Sequence, residues 1–256
     1  MSLCKTQKKD PVKIASDNYV DHEERNAGKV SRMFSRIAPR YDLLNHLLSL
    51  GLDIRWRKKV AEETGRVRCE KILDVCTGSG DMAIELCKFW GGNVRVHGVD
   101  FSPRLLEIAE KKSTQAGLND RLTFREADAE QLPYSDEEFN AVTITFGLRN
   151  INNRHKALQE FYRVTRPGGC FVCLEFSQPA NAFFRKIYSF YLLKFVPLVS
   201  LLLGSDPDAY RYLGKTIKDF PSPRELCRTI ESAGWKDVGY RHLAGGIVAI
   251  HRGRKE

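Results

Sequence analysis

From Lys71 onward, short apolar runs alternate with longer stretches that are apolar every three or four residues. The short runs predict buried strands at 71–76, 94–100, 122–127, 139–146 and 169–176. The longer stretches predict helices at 80–89, 103–116, 155–164 and 222–233. Ser102-Pro103 offers an N-cap followed by a proline at the first helical position. Ser222-Pro223-Arg224-Glu225 reads as a capping box. Two closing strands fit 236–242 and 246–252 around Ala244-Gly245-Gly246, close enough for a hairpin, so the last strand should run antiparallel to its neighbour. The pattern predicts an open α/β fold: a seven-stranded, mostly parallel sheet with helices on both faces and an antiparallel edge strand.

Two regions depart from this alternation. Residues 29–63 read as an N-terminal helical cap carrying Met33, Phe34, Ile37, Leu43, Leu44, Leu47 and Leu48, broken at Pro39. Residues 1–28 are polar, charged and without period, which predicts a loose tail, so 29–256 form a single domain. Residues 180–221 form an apolar helical insertion. Within it, Ile187 to Leu203 is a 17-residue run of mostly aromatic and aliphatic residues that also holds Lys194 and Pro197. A spanning helix needs about 20 apolar residues and tolerates a central lysine poorly. The segment therefore reads as a buried helix, as a lid over an apolar substrate, or as a surface dipping into a lipid interface.

The chain has 256 residues, 42% of them hydrophobic, enough for one large α/β domain. The net charge is +9, and residues 1–60 carry 13 Lys/Arg against 7 Asp/Glu. A basic face of this kind can meet nucleic acid or anionic lipid, though a single run such as Arg55 to Lys59 also fits an ordinary solvated surface. Seven cysteines are scattered along the chain, an odd count with several inside predicted strands, which predicts reduced thiols and a cytoplasmic location. Cys170 and Cys173 sit three apart on a strand and so point to opposite faces. No second cysteine pair stands at zinc-ligand spacing, so no metal site is expected. The N-terminus is polar and lysine-bearing without an apolar core, so no signal peptide is expected.

The chemistry concentrates in Lys71-Ile-Leu-Asp-Val-Cys-Thr-Gly-Ser-Gly-Asp-Met-Ala83 and in Asp100, which ends the next strand. Gly78 and Gly80 provide a tight turn where backbone can approach a ligand closely. An acid at the end of the second strand can accept hydrogen bonds from both ribose hydroxyls of an adenosine group. Ala83 at the third glycine position leaves a dinucleotide formally open. Asp74, just before the turn, would repel a pyrophosphate and suits instead a cofactor bearing an ammonium and a sulfonium, S-adenosylmethionine. No Gly-Lys-Ser/Thr follows, which excludes a P-loop.

These residues, with Tyr41-Asp42-Leu43-Leu44-Asn45, Ser49, Gly51 and Trp56, resemble the class I S-adenosylmethionine-dependent methyltransferases with a Rossmann-like fold. More narrowly, the chain is similar to the family that C-methylates quinol rings in ubiquinone and menaquinone biosynthesis. That likeness is carried also by Phe146-Gly-Leu-Arg-Asn150, Arg163-Val-Thr-Arg-Pro-Gly-Gly169, Glu175-Phe-Ser177, Tyr210-Arg-Tyr-Leu213 and Gly246-Ile-Val-Ala-Ile-His-Arg-Gly253. It spans roughly residues 30–254 and makes 29–256 a methyltransferase domain. Two departures stand out: Asp53-Ile54 replaces the family's usual His-Arg, and the loop reads Thr77-Gly78-Ser79-Gly80, with Ser79 keeping the hydroxyl.

The resemblance implies that Ser79 contacts the methionine part of the cofactor, Asp100 the ribose, Asp128 and Ala129 the adenine, and Thr145 the sulfonium side. It implies methyl transfer to demethylmenaquinol or the equivalent ubiquinol precursor, a polyprenylated quinol. A ring carbon becomes nucleophilic when an adjacent hydroxyl, of ordinary pKa about 10, loses its proton. Positioning then supplies much of the catalysis. Arg149 and Asn150 follow the fourth strand and are the expected catalytic pair, Arg149 as an electrostatic stabiliser of the phenolate. His46, His155 and His251 are alternative bases or ordinary packing residues. Other apolar or phenolic acceptors, and a non-catalytic cofactor-binding subunit, are the competing readings. The chain lacks the Asn/Asp-Pro-Pro-Tyr/Phe of enzymes that methylate nucleic-acid amines, so no nucleic-acid partner is expected. The 187–203 segment fits both a peripheral contact at the inner face of the membrane and a homodimer.

Overall fold

The computed structural model describes residues 42, 46, 49–179, 181–191 and 207–256. The tail expected at 1–28, most of residues 29–48 of the cap expected at 29–63, and residues 192–203 of the 187–203 run lie outside the described residues.

The element order is α1 (Leu52–Thr64), β1 (Lys71–Val75), α2 (Asp81–Trp90), β2 (Arg95–Asp100), α3 (Pro103–Gln115), β3 (Leu122–Glu126) and β4 (Phe139–Thr145). A single 3-10 turn, Leu148–Asn150, leads to α4 (Arg154–Val164) and β5 (Thr165–Phe176). Then come α5 (Ala182–Phe190), α6 (Pro207–Lys218), α7 (Pro223–Ser232), β6 (Lys236–Leu243) and β7 (Val248–Arg254). The seven strands form one sheet in the order β3-β2-β1-β4-β5-β7-β6. Strands β1 to β5 pair in parallel, and β7 runs antiparallel to both neighbours.

The antiparallel strand lies one place in from the edge rather than on it. Val248 to His251 of β7 are all buried and need a neighbour on each side, whereas β6 exposes Lys236, Asp237, Arg241 and His242 and so makes a suitable outer strand. Strand β5 starts four residues earlier than the apolar pattern predicts. Thr165 already pairs with Phe139, and the register then jumps to Ala141–Cys170 across a bulge that loops out the Pro-Gly-Gly stretch.

Side chains alternate across the sheet. On one face α1 and α2 pack Trp56, Val60, Met82 and Leu86 against Ile72, Val172 and Leu174. On the other, α4 and α7 pack Leu158, Phe161, Leu226 and Ile230 against Val142, Phe171 and Trp235. Cys170 and Cys173 fall on opposite faces, as their spacing requires. The α7 capping box forms in both directions, between Ser222 and Glu225. At α3 the expected side-chain cap does not form: Ser102 instead donates its backbone N–H to Asp100 Oδ1 at 2.9 Å.

Candidate active site

The chain leaves β1 towards β2 and β3 on one side, and β4 leads to β5 on the other. That reversal opens a crevice at the carboxyl ends of β1 and β4. A partly open cleft lies there. Its walls come from the ends of four strands: Val75, Cys76 and Gly78, then Val99 to Phe101, Ala127 to Glu130, and Thr145 to Gly147 with Asn150 to Asn152. Two non-glycine residues at these strand ends, Cys76 (φ 54°) and Phe146 (φ 57°), adopt left-handed backbone. Such strain persists only where surrounding packing enforces it. Gly147 shows the tightness: a Cβ there would stand 2.4 Å from Cys76 Cβ.

Asp100 is buried at the end of β2. Its Oδ2 accepts the Gly78 N–H at 2.9 Å and its Oδ1 accepts the Ser102 N–H at 2.9 Å. Burial pushes its carboxyl up to about 6, against the opposing pull of backbone N–H groups from Gly78, Ser102 and Phe101. Asp74 is also buried but does not line the cleft. Thr77 and Thr143 donate their hydroxyls to it at 2.6 and 2.7 Å. Burial raises its carboxyl to about 7, the two hydroxyls oppose that, and Asp100 adds to it. Gly80 packs so closely that a Cβ would lie 2.8 Å from Ala109 Cβ.

Ser79 donates to Asp42 Oδ1 at 2.5 Å. Lys112 bridges Asp42 (3.0 Å) to Asp81 at the start of α2. Asp81 in turn faces Arg57 at 3.5 Å, and Arg57 pairs with Asp53 at 2.5 Å. Asp53 also accepts the Ser49 hydroxyl at 2.6 Å and meets His46 Nδ1 at 2.6 Å. Burial works to raise its carboxyl, but Ser49, Arg57 and His46 together hold it below the usual carboxylate range. The Asp53 departure thus anchors the N-terminal segment to α1, while Ile54 points outward, 47% exposed.

Asp128 lines the cleft and turns the chain by accepting the Glu130 N–H at 2.8 Å. Ala129, Thr145 and Asn150 line it too. Thr145 Oγ1, Asn150 Oδ1 and Asn152 Oδ1 are buried with no hydrogen-bond partner among the described residues. Native interiors rarely leave such atoms unpaired, so they are open to a ligand's polar groups. Arg149, expected beside them, turns away from the cleft lining. Its Nη1 meets Glu175 Oε1 at 2.8 Å, its backbone N–H meets Glu175 Oε2 at 3.2 Å, and its guanidinium lies 5.2 Å from the Phe176 ring. It also donates to the Phe146 carbonyl, bracing the strained turn. His46, His155 and His251 do not line the cleft; His251 is buried against the Pro223 carbonyl, and burial pushes its imidazole down to about 4.

Residue-by-residue reading missed Cys76, Phe101, Leu105, Phe146, Gly147 and Asn152. Their shared signal is position: each follows a strand end or opens the next helix.

The lining contains three carboxylates, Asp100, Asp128 and Glu130, and no lysine or arginine among the described residues. That composition disfavours a pyrophosphate and fits an adenosine group with a cationic tail, between the apolar walls Val99, Leu105 and Ile151. The fold is shared with solved methyltransferases. A SAM-dependent methyltransferase from Aquifex aeolicus matches with a TM-score of 0.57 at 19% identity, covering 77% of this chain and 88% of that one. The cyclase SpnF matches with a TM-score of 0.66 at 18% identity, covering 90% and 96%. Fold and cleft together define a class I methyltransferase with S-adenosylmethionine as methyl donor.

The chain belongs to the ubiE/COQ5 methyltransferase family, whose model matches residues 21–255. It is 40% identical over 239 residues to the ubiquinone/menaquinone biosynthesis C-methyltransferase UbiE of Rickettsia akari, covering 92% of this chain and 96% of that one. It is 41% identical over 227 residues to the demethylmenaquinone methyltransferase of Streptomyces avermitilis, covering 89% and 94%.

Proposed function

We propose that this protein C-methylates a reduced quinone ring, converting demethylmenaquinol to menaquinol or acting on the equivalent ubiquinol precursor. The acid-lined cleft, without basic residues among the described ones and set at the switch point beside an aromatic platform, carries the reading. S-adenosylmethionine supplies an electrophilic methyl on a sulfonium. Asp100 accepts the ribose hydroxyls on lone pairs that Gly78 and Ser102 leave free. Asp128 and Ala129 frame the adenine, Ser79 meets the methionine portion with the lone pairs that its bond to Asp42 leaves free, and Thr145 offers its unpaired hydroxyl near the sulfonium. Asp74 acts through Thr77, holding the Gly78–Gly80 turn in shape.

Phe146 lines the cleft and packs on Phe176 at 4.6 Å between ring centroids, with Trp56 edge-on to Phe146 at 6.1 Å. These rings suit a flat aromatic acceptor. Asn150 presents its amide to the acceptor. Arg149 contributes by holding the Phe146–Asn150 turn, because its charge is already matched by Glu175.

The acceptor's isoprenoid tail calls for a lipid source. Helix α5 exposes Phe183 (75%), Ile187 (50%) and Phe190 (69%) at helical spacing, next to exposed Arg185 and Lys186. That face supports a peripheral contact with the inner face of the membrane. No helix among the described residues is long and apolar enough to cross a membrane.

The test is incubation with labelled S-adenosylmethionine and two reduced acceptors, demethylmenaquinol and a demethylated ubiquinol precursor. Gain of one methyl on carbon supports the reading, and the preferred ring names the pathway. Cofactor binding without transfer to either acceptor overturns it.

A further inference from the structure

On the acceptor side, several buried polar atoms around one ion pair are unpaired. Arg149 Nε, Ser177 Oγ and Tyr188 Oη have no hydrogen-bond partner among the described residues, and neither does Asn150 Oδ1 next to them in the chain. All border the carboxyl ends of β4 and β5 or the α5 helix that follows. Glu175 is held in place here: Oε1 accepts from Arg149 Nη1 and the Phe176 N–H, both at 2.8 Å, and Oε2 accepts from the Arg149 N–H at 3.2 Å.

Tyr188 is the one large side chain in this group with a rotatable O–H. It is 7% exposed, on the side of α5 away from the Phe183, Ile187 and Phe190 stripe. The charges acting on its hydroxyl include Arg149 and Glu175. A buried hydroxyl left unpaired is costly, and a fold tolerates it where a ligand completes the bond.

We propose that Tyr188 binds the acceptor, donating its O–H to the ring oxygen that carries the negative charge during methyl transfer. The acceptor is a phenol-type ring, and the inference rests on the reading of the acceptor given above. Tyr188 keeps its proton throughout, since burial pushes its phenol well above the usual range. The bond strengthens as charge develops on the acceptor oxygen, so its effect falls on turnover as well as on binding.

The test uses Tyr188→Phe, which preserves the buried ring. Two probes, 1-naphthol and naphthalene, are titrated in the presence of excess S-adenosylhomocysteine. The full-length wild type should bind naphthol about tenfold more tightly than naphthalene. The variant should lose that preference, keep its S-adenosylhomocysteine affinity, and keep or raise its melting midpoint, because no bond of the free protein is lost. Its kcat/KM for the naphthoquinol acceptor should fall about 100-fold. A naphthol preference absent from the wild type, or retained by the variant with kcat/KM within twofold, overturns the proposal. A lower midpoint with unchanged preference also overturns it, by showing a structural hydroxyl. Should wild type transfer no methyl to either quinol, the reading of the acceptor falls while the naphthol comparison still decides Tyr188.

Discussion

The two halves of the site differ in how their polar groups are satisfied. Around β1 and β2 the carboxylates are held in place: Thr77 and Thr143 donate to Asp74, and backbone N–H groups hold both oxygens of Asp100. Around β4, β5 and α5 the atoms of Asn150, Ser177 and Tyr188 stand open near the Arg149–Glu175 ion pair. The cofactor half is organised before anything binds. The acceptor half holds its charges fixed and leaves its uncharged donors and acceptors for the ligand. Pre-organised charge lowers the cost of binding a highly polar cofactor, while open hydroxyls and amides allow a mostly apolar ring to be gripped at one edge.

Breaking the ion pair is the harshest test of this contrast. Glu175→Ala leaves the Arg149 charge buried and unmatched, and should cost about 3–5 kcal/mol of stability in urea unfolding. At temperatures where it stays folded, it should lose methyl transfer through collapse of the Phe146–Asn150 turn.

Next in size, Asp100→Asn turns an amide towards one of two backbone donors and removes the charge. S-adenosylhomocysteine affinity by calorimetry should fall 10- to 100-fold, corresponding to about 1.5–3 kcal/mol. Naphthol preference, scored with saturating S-adenosylhomocysteine, should survive. Coupled loss of both would erase the distinction between the halves.

Gly147→Ala sits on the seam. The new Cβ meets Cys76 Cβ at 2.4 Å, so overpacking should cost about 1–3 kcal/mol in thermal unfolding. Adding Cys76→Gly, which removes that atom and suits φ 54°, should restore most of it. A simple sum of the two single effects would show that the clash is not the cause.

The smallest effect, taken per pH unit, is on pH dependence. Asp74 and Asp100 are raised to about 7 and about 6, whereas unfolded carboxyls titrate near 4. Between about pH 4 and 7 these two carboxyls therefore hold more protons in the folded protein than in the unfolded chain, while His251, pushed down to about 4, works in the opposite direction. The stability that the two carboxyls contribute should fall as pH rises through that window, by at most about 1.4 kcal/mol per pH unit for each group. Asp74→Asn should flatten the upper part of the slope, read from urea midpoints at stepped pH. An unchanged slope would place the titration elsewhere.

The cofactor half was legible in the sequence because its residues lie beside strand ends that the apolar runs mark. Asp74, Gly78, Gly80 and Asp100 were named from that register, and Asp128, Ala129 and Thr145 from the family resemblance; all but Asp74 and Gly80 line the cleft with Asn150. Ser79 was expected on methionine and is engaged by Asp42 through a contact 37 residues apart, which no local pattern could reveal. Arg149 was read as a free charge because its partner Glu175 lies 26 residues on, at the end of another strand.

The sequence alone determined the order of strands and helices, the glycine turn and the acids at the strand ends. These follow from period, backbone freedom and chain proximity, and all three are local properties. Tertiary structure decided which charges are spent and which polar atoms remain open. It also placed β7 inside the sheet with β6 at its edge, faced Tyr188 inward on a helix whose other side is apolar and exposed, and closed Asp53 into the network that ties Arg57 to Asp81. Those outcomes depend on which distant groups meet in a low-dielectric interior, where each pairing or lack of one carries a large free energy.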